Sequence, residues 1–382
     1  MEYVRLKDIG QIITGNTPPT SKPEYYGDYM PFIKATDIPI GVKCTLVTEQ
    51  SYSKLAAEKY KKSLVPKGST CVVTIGSIGK KMTYAHTDLF VNQAINAIVP
   101  KDSYDNEYIF YNVRCSVLPQ LKKLDSGTTS GRENISKTSF SSIRIPVIKD
   151  KNVQRRIGVI LSTYDSLIEN NTKRIRLLEK MAENLYKEWF VRFHFPGHEN
   201  VKMVNGLPNG WKKGALSDVC EFKRGKNITS SEMKDGTIPV ISAGITPSGF
   251  HSHANVYGIS VTMSSSGANA GYIAVHYSDI WAADCSYIEE ASTPCIYYVY
   301  ELLNNIRSII NNFQRGAAQP HVYPKDINRI KMIIPSEDIR KKANEKIGVI
   351  HRQIDNLQRQ NSLLARQRDL LLPRLMSGKL EV

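Results

Sequence analysis

The fold is decided by residues 154–190, which read QRRIGVILSTYDSLIENNTKRIRLLEKMAENLYKEWF. Side chains suited to a helix–helix seam recur along this stretch at alternating intervals of four and three residues. They are Ile157, Leu161, Tyr164, Ile168, Asn171, Ile175, Leu178, Ala182, Leu185 and Trp189. This heptad spacing predicts a long helix, from about Val153 to about Arg192, with a coiled-coil seam along one side.

The same pattern returns from about Glu337 to about Met376 and predicts a second long helix. Its seam positions are Ile347, Ile350, Ile354, Leu357, Asn361, Leu364, Leu371 and Leu375, and Arg368 interrupts them once. The tetrapeptide IGVI stands at 157–160 and again at 347–350, an offset of 190 (347 − 157), and Asp165 falls on Asp355 at that offset. Unrelated helices would share Ile and Leu, but not also a Gly and an Asp. We therefore interpret the chain as an internal repeat.

Asn171 and Asn361 also coincide at this offset. An Asn in an apolar seam is costly unless it finds a polar partner, and it tends to fix the register of the helices. If the two helices pair antiparallel about a pseudo-two-fold axis, Asn171 is expected to face Asn361. The alternative is a solvated Asn on a wide helix face.

The length, the net charge and the cysteine content narrow the class of protein. A length of 382 residues suggests two or three domains, and 51 Lys and Arg against 36 Asp and Glu give a net charge of +15. Such a charge favours a polyanionic partner, most often nucleic acid, although a solvated basic surface is the alternative. The six cysteines form no Cys-x-x-Cys pair, and we expect free thiols in the cytoplasm. We find no signal peptide and no run of 18 apolar residues, so no membrane insertion is expected.

The globular parts are predicted to be α+β, with short strands, mostly local pairing and a candidate helix in each. We expect a first domain at 1–150, the first long helix at 151–196, a second domain at 197–336, and the second long helix with a tail at 337–382. Predicted elements include a strand over Val91–Val99 and helices over Asn106–Leu124 and Tyr297–Phe313. The domains also repeat: Asp8 and Gly15 match Asp218 and Gly225 at an offset of 210, and the run 73–79 matches 261–267 at an offset of 188.

No stretch fits a catalytic or metal site. The run Asn16-Thr17-Pro18-Pro19 lacks the spacing and the aromatic residue of an adenine-methylation motif, and residues 76–81 lack the spacing of a phosphate-binding loop. Asp218 and Glu221 stand too close for a nuclease triad, and nothing completes a metal site around His251-x-His253. We predict no catalytic residue and no metal ligand in this chain.

The sequence does contain residues suited to contact DNA phosphates and bases. Arg, Gln and His can reach base edges, whereas Lys mainly supplies non-specific attraction to phosphates. For each candidate, simple solvent exposure is the alternative. The candidates follow Gly-rich turns or lie at matched places in the two domains, and they are Lys80, Lys81, Arg132, Lys223, Arg224, Lys226, Arg315, Gln319 and His321.

The sequence resembles the specificity subunits of bacterial and archaeal type I restriction-modification systems. The resemblance covers the whole chain and rests on the duplicated plan, on Gln154-Arg155-Arg156-Ile157, on LLPRLMSGKL at 371–380, and on the short motifs at Leu6 and Leu216. The second helix opens with Ile339-Arg340-Lys341-Lys342 and lacks the Gln of the first. The short motifs are not specific, whereas the tail and the repeat are fairly specific.

This resemblance implies a non-catalytic scaffold with two target-recognition domains, each reading one half of a bipartite DNA site. The antiparallel helices would set the unread spacer and dock two modification subunits, which bring S-adenosylmethionine. Restriction subunits would bring ATP and Mg²⁺. Two rival functions are a stand-alone enzyme that methylates or cleaves DNA, and a structural coiled-coil adaptor without a DNA role.

Overall fold

The computed structural model describes residues 1–125, 133–316 and 320–382 and divides into two units. Unit 1 comprises Met1–Asn170 and Gln360–Val382, and unit 2 comprises Asn171–Arg359. Each unit therefore joins one mixed domain to a part of each long helix. The predicted α+β class, with two similar domains and long helices, is confirmed.

The described residues of unit 1 form ten short strands. They are β1 (Glu2–Arg5), β2 (Gly10–Thr14), β3 (Tyr26–Gly27), β4 (Met30–Ile33), β5 (Gln50–Tyr52), β6 (Thr70–Val73), β7 (Met82–Tyr84), β8 (Phe90–Val91), β9 (Ile95–Pro100) and β10 (Arg144–Val147). They form an antiparallel sheet in the order β2–β9–β6–β7, a second sheet in the order β3–β5–β4–β8, and the pair β1–β10. The predicted single strand over Val91–Val99 is wrong, because a turn at residues 92–94 separates β8 from β9.

Unit 2 repeats this plan. Its strands are β11 (Met203–Val204), β12 (Leu207–Pro208), β13 (Lys212–Ala215), β14 (Lys223–Arg224), β15 (Ile238–Ile241), β16 (Gly249–His251), β17 (Ser260–Ser264), β18 (Ile273–His276), β19 (Trp281–Ala282), β20 (Cys285–Glu289) and β21 (Lys331–Ile334). The sheets run β14–β20–β17–β18 and β16–β15–β19, with the pair β13–β21. The hairpin β11–β12 is an addition in the connector.

The helices complete both units. They are α1 (Leu6–Ile9), α2 (Lys54–Lys59), α3 (Asn106–Ser116), α4 (Leu118–Leu121), α5 (Lys137–Ser142), α6 (Lys151–Tyr186), α7 (Ile296–Asn305), α8 (Arg307–Asn311), α9 (Pro324–Ile327) and α10 (Glu337–Met376). A π-helical turn, Lys187–Val191, extends α6. Pro373 does not end α10, which continues to Met376.

The register of the strands corrects one predicted match. Cys71 pairs with Thr83 in unit 1, as Thr262 pairs with Ala274 in unit 2, so these strands correspond at an offset of 191 (262 − 71) and not 188. The match between Gly15 and Gly225 is confirmed. A Cβ on either glycine would come within 2.2 or 2.4 Å of a carbonyl oxygen in the turn before β9 or β20, so only glycine fits.

The long helices pack onto the domain within each unit. In unit 1 the side chain of Arg368 bonds to Asp165, while Leu372 and Leu375 share a core with Ile157 and Leu161. The two helix segments therefore run in opposite directions there. The stripe is interrupted at Arg368 because that position holds a buried ion pair. Asn171 is buried and Asn361 half-buried, and their pairing stays a prediction.

Candidate nucleic-acid interface

The loop after β17 in unit 2, residues 265–269, is tied by hydrogen bonds to the segment that follows α8. The amide of Gly267 donates to the carbonyl of Pro320 at 3.0 Å, and the amide of Val322 donates to Ser265 at 3.0 Å. Arg315 and His321 exchange two backbone hydrogen bonds of 2.9 and 2.8 Å. The structure thus brings two of the candidates together beside a Gly-containing loop, which a nucleic-acid backbone can approach closely.

Arg315 is oriented but still accessible. Its guanidinium forms an ion pair of 2.9 Å with Asp326, yet 62% of the side chain is exposed. The ring of His321 stacks on Tyr323 at 6.2 Å between ring centroids. A guanidinium held in place by one carboxylate keeps free N–H groups, which can donate to a base edge.

The candidates Lys223, Arg224 and Lys226 lie at the edge strand β14 and are exposed. Glu289 accepts a hydrogen bond of 2.7 Å from Lys223, and this bond raises the pKa of the ammonium group. Neither Arg224 nor Lys226 forms an ion pair with a residue that the structure describes. Both exposed cations are therefore available to bind an anionic partner.

β14 and the loop belong to one surface of unit 2. Arg224 pairs with Ser286 of β20, and the hydroxyl of Ser286 lies 3.4 Å from that of Ser265 at the start of the loop. The positive groups on β14 and the residues around Arg315 therefore lie around one end of the same sheet.

In unit 1 the corresponding loop makes the same contacts. The amide of Gly76 donates to the carbonyl of Glu133 at 2.9 Å, and the amide of Ile135 donates to Thr74 at 2.9 Å. Lys80 is exposed, whereas Lys81 is half-buried and donates to the carbonyl of Ala35 at 3.1 Å. Lys81 therefore has a structural partner that the sequence did not indicate. Arg132 and Gln319 lie outside the described residues.

Several residues of this surface were missed by the sequence reasoning. Tyr323 and Asp326 support His321 and Arg315, and Asp284 accepts a hydrogen bond of 2.6 Å from Ser266 in the loop. No sequence motif marks these contacts, because each joins segments that only the fold brings together. For Asp284 there is one signal in the sequence. At the offset of 191 residues it matches Gln93, another polar residue, which occupies the same turn in unit 1.

The remaining chemical candidates have structural roles. His251 is buried, accepts a hydrogen bond of 2.9 Å from the amide of Lys234, and packs edge-on against Trp281. Among the described ranges, no group of three His, Cys, Asp or Glu side chains could hold a metal ion. All six cysteines are free, and no described helix is both long and apolar enough to cross a membrane.

Comparison with known proteins connects this chain to a family. The model of the type I restriction modification DNA specificity domain matches residues 1–180 and 208–365. The MjaIX specificity subunit of a type I restriction enzyme from Methanocaldococcus jannaschii is 26% identical over 99% of this chain and 93% of its own length. The HindI specificity subunit from Haemophilus influenzae is 32% identical over 47% of this chain and 38% of its own length.

A solved structure supports the fold. The S subunit of a type I restriction-modification system from M. genitalium superposes with a TM-score of 0.60 at 19% identity, over 98% of this chain and 95% of that one. Both domains found here thus correspond to copies of the DNA specificity domain. The chain belongs to the family of type I restriction-modification specificity subunits, the proteins that give these systems their DNA sequence specificity.

Proposed function

We propose that this chain recognises a bipartite DNA site, with one unit reading each half-site. The observation that carries the proposal is the pair of matched loop contacts, from Gly76 to Glu133 and from Gly267 to Pro320. One backbone arrangement is built twice, while the side chains around it differ. Two different surfaces on one scaffold suit two different base sequences.

In this proposal the chain supplies binding and not chemistry. Two modification subunits would bring S-adenosylmethionine and methylate adenine, and restriction subunits would bring ATP and Mg²⁺. The seam residues of α6 and α10 would set the unread spacer, and the outer faces of these helices would dock the modification subunits. Family membership and the repeated helices support this division of labour.

The test is the affinity of the chain, together with its modification subunit, for a duplex carrying the methylated sequence of its host. Binding through several Lys and Arg residues releases counterions, so affinity should fall steeply as salt rises. A flat response to salt would argue against a DNA reader. Turnover by the purified chain alone, given S-adenosylmethionine or Mg²⁺ and DNA, would support the rival enzyme.

The role of the helices has a separate test. Adding one heptad to both α6 and α10 should change the preferred spacer length and leave the two half-site sequences unchanged. Mapping methylated adenines across a genome that expresses the variant measures both properties at once. A heptad added to α6 alone is the control, since it puts the two seams out of register. Altered half-site sequences in the double insertion would contradict the spacer role.

A further inference from the structure

Unit 2 contains a pocket of about 260 Å³ whose walls come from β15, the loop after it, β17 and β18. Thr262 and Ser264 of β17 and His276 of β18 line it on one side, and Ile241 and Val275 contribute apolar surface. The hydroxyl of Thr262 lies 2.8 Å from Nε2 of His276, and Ser264 donates to the carbonyl of Ala243 at 2.9 Å.

The same place in unit 1 is closed apolar core. At the offset of 191 residues, Thr262, Ser264 and His276 correspond to Cys71, Val73 and Ala85, which are fully buried in one cluster. Ile38, from the connection 34–49 between β4 and β5, belongs to that cluster. The corresponding connection in unit 2, residues 242–248, is much shorter.

The polar residues at these positions in unit 2 cost folding stability relative to their apolar counterparts in unit 1. Replacing three apolar core residues by two hydroxyls and an imidazole gives up apolar burial and places polar groups where they must find partners. Here the replacement coincides with an open pocket, and all three polar side chains line it. We take this coincidence as the mark of a binding site, whereas the matched residues described in unit 1 are packed in its core.

The lining defines the ligand. It contains no Lys, Arg, Asp or Glu, and burial lowers the pKa of His276 to about 4, so the pocket is uncharged near neutral pH. Its volume is below the roughly 300–1,000 Å³ of pockets for drug-sized ligands. A hydroxyl that donates its one proton to the protein still has lone pairs that can accept, and together with apolar walls and the ring of Tyr272 this suits a small, neutral heterocycle with polar edges.

The position of the pocket indicates where such a ring comes from. Ser264 ends β17 and leads directly into the loop 265–269, and its amide donates to the carbonyl of Tyr272 at 2.9 Å. Ile245, which also lines the pocket, is 62% exposed. The pocket thus adjoins the surface that carries Arg315 and His321.

We propose that this pocket binds one nucleobase, extruded from the DNA duplex that unit 2 reads. The duplex as the source rests on the proposed function, whereas the chemistry of the pocket does not. Unit 2 would then read its half-site partly through a base that has left the stack, and unit 1 would read its half-site without such a pocket.

The test uses the full-length chain and two probes, free 2-aminopurine riboside and duplexes of the host target carrying 2-aminopurine at successive positions. The chain is assembled with its modification subunit for the duplex arm. The test variant replaces all three polar residues by their unit 1 counterparts, T262C, S264V and H276A. The control is Ser260→Ala, which removes a buried hydroxyl from the same strand at a residue that does not line the pocket.

The wild type and Ser260→Ala should bind the riboside saturably, and the triple variant should bind it at least about tenfold more weakly. At one position in one half-site, 2-aminopurine fluorescence should rise severalfold on binding, and the triple variant should lose this rise. A second variant, Ala274→Leu, fills the pocket and should have the same effect as the triple variant.

The riboside and duplex experiments together distinguish a base of the duplex from a free nucleoside as the ligand. Riboside binding without a signal from the duplex would keep the nucleobase site and assign it a free nucleoside as ligand. Riboside binding by a chain that fails to bind duplex at all, measured by the anisotropy of an end label, would overturn the proposed function but not the pocket. No saturable riboside binding and no position-specific signal from a bound duplex would overturn the inference.

Discussion

The two units fasten the long helices to their domains with different buried polar groups. In unit 1 the carboxylate of Asp165 accepts hydrogen bonds from Tyr111 and from Arg368, and both charged side chains are only 3% exposed. In unit 2 the imidazole of His351 lies 3.1 Å from Glu301 and 2.8 Å from the hydroxyl of Tyr277.

The basic side chains of these two groups, Arg368 and His351, do not occupy matched positions. At the offset of 190 residues, Arg368 corresponds to Leu178 and His351 to Leu161, so the polar partner in one unit is a leucine in the other. The backbone plan has been kept while the buried pairing has changed. A buried pair contributes little net stability, but it penalises every arrangement that leaves one charge unpaired. The comparison teaches that each unit fixes its own helices by its own interaction.

The largest effect is expected at Arg368. Arg368→Leu introduces the residue found at the matched position of α6 and leaves the carboxylate of Asp165 buried without its cation. Losing one partner of a buried pair costs about 3–5 kcal/mol, so unit 1 should unfold at much lower denaturant concentration. Hydrogen exchange followed separately in each unit measures this, and unit 2 should keep its protection.

Two further variants make this prediction specific. Asp165→Asn combined with Arg368→Leu removes both charges and keeps an acceptor for Tyr111, and it should recover at least half of the loss. Arg359→Leu removes an exposed partner of Asp355 on the same helix and should change stability by less than about 0.5 kcal/mol. Equal losses for Arg359→Leu and Arg368→Leu would show that the burial of the pair is irrelevant.

A smaller effect is expected from the glycine shared by both helices. A Cβ on Gly158 would lie 2.7 Å from Oδ1 of Asp105, the N-cap of α3, and 3.1 Å from the backbone amide of Tyr108. A Cβ on Gly348 would meet ring carbons of Tyr297 at 3.0 Å and, at 3.3 Å, Nη1 of Arg352, the far end of a flexible side chain. We therefore expect Gly158→Ala to destabilise unit 1 by about 2 kcal/mol through overpacking.

In Gly348→Ala the helix propensity of Ala, worth about 1 kcal/mol over Gly, should offset most of the milder clash. Denaturant melts of both single variants, read by the same hydrogen-exchange probes, give the difference between the units. Equal losses in the two units would mean that the helices approach α3 and α7 equally closely.

The surfaces that we propose to read DNA offer the next comparison. Arg315→Ala should weaken discrimination in the half-site of unit 2 only, by roughly 1–3 kcal/mol if the guanidinium contacts a base edge in bidentate fashion. Arg132→Ala is the corresponding change in unit 1. Lys226→Ala is the matched control, because an exposed ammonium group that meets phosphate should weaken binding to all sequences equally. Affinities for a panel of single-base variants of the target measure the pattern. Uniform loss for Arg315→Ala would assign it to phosphate.

Whether a feature could be predicted from the sequence depends on how far apart its interacting residues lie along the chain. The heptad spacing identified both long helices and their seams, since the period of an amphipathic helix is a local property. Arg368 looked like an interruption of the seam because its partner lies 203 residues away. Lys81 looked like a free cation because its bond to Ala35 exists only once β4 and β7 are in place.

The repeat itself was recognised, but its register in the sheet was wrong by three residues. Val, Thr, Ser and Gly are so common in strands and turns that the run 73–79 fits 261–267 by chance composition. Only the pairing of Cys71 with Thr83 and of Thr262 with Ala274 fixes the correspondence. The pocket in unit 2 becomes visible only with that register, since a shift of three residues would match Thr262 with Thr74 instead of Cys71.

The smallest effect concerns His276, whose matched residue in unit 1 is Ala85. Burial lowers the pKa of this imidazole from 6.5 to about 4, so the unfolded chain binds a proton more readily than the folded one. Between these two values, acidification therefore favours unfolding, and the stability of unit 2 should fall as pH drops from 7 to 5. The loss should be about 1–2 kcal/mol, because the group is not fully buried.

His276→Ala should abolish this part of the pH dependence in unit 2, while His253→Ala, an exposed histidine of the same unit, should leave it unchanged. If unit 2 of the His276→Ala variant loses as much stability between pH 7 and 5 as the wild type, the buried imidazole is not the group that titrates.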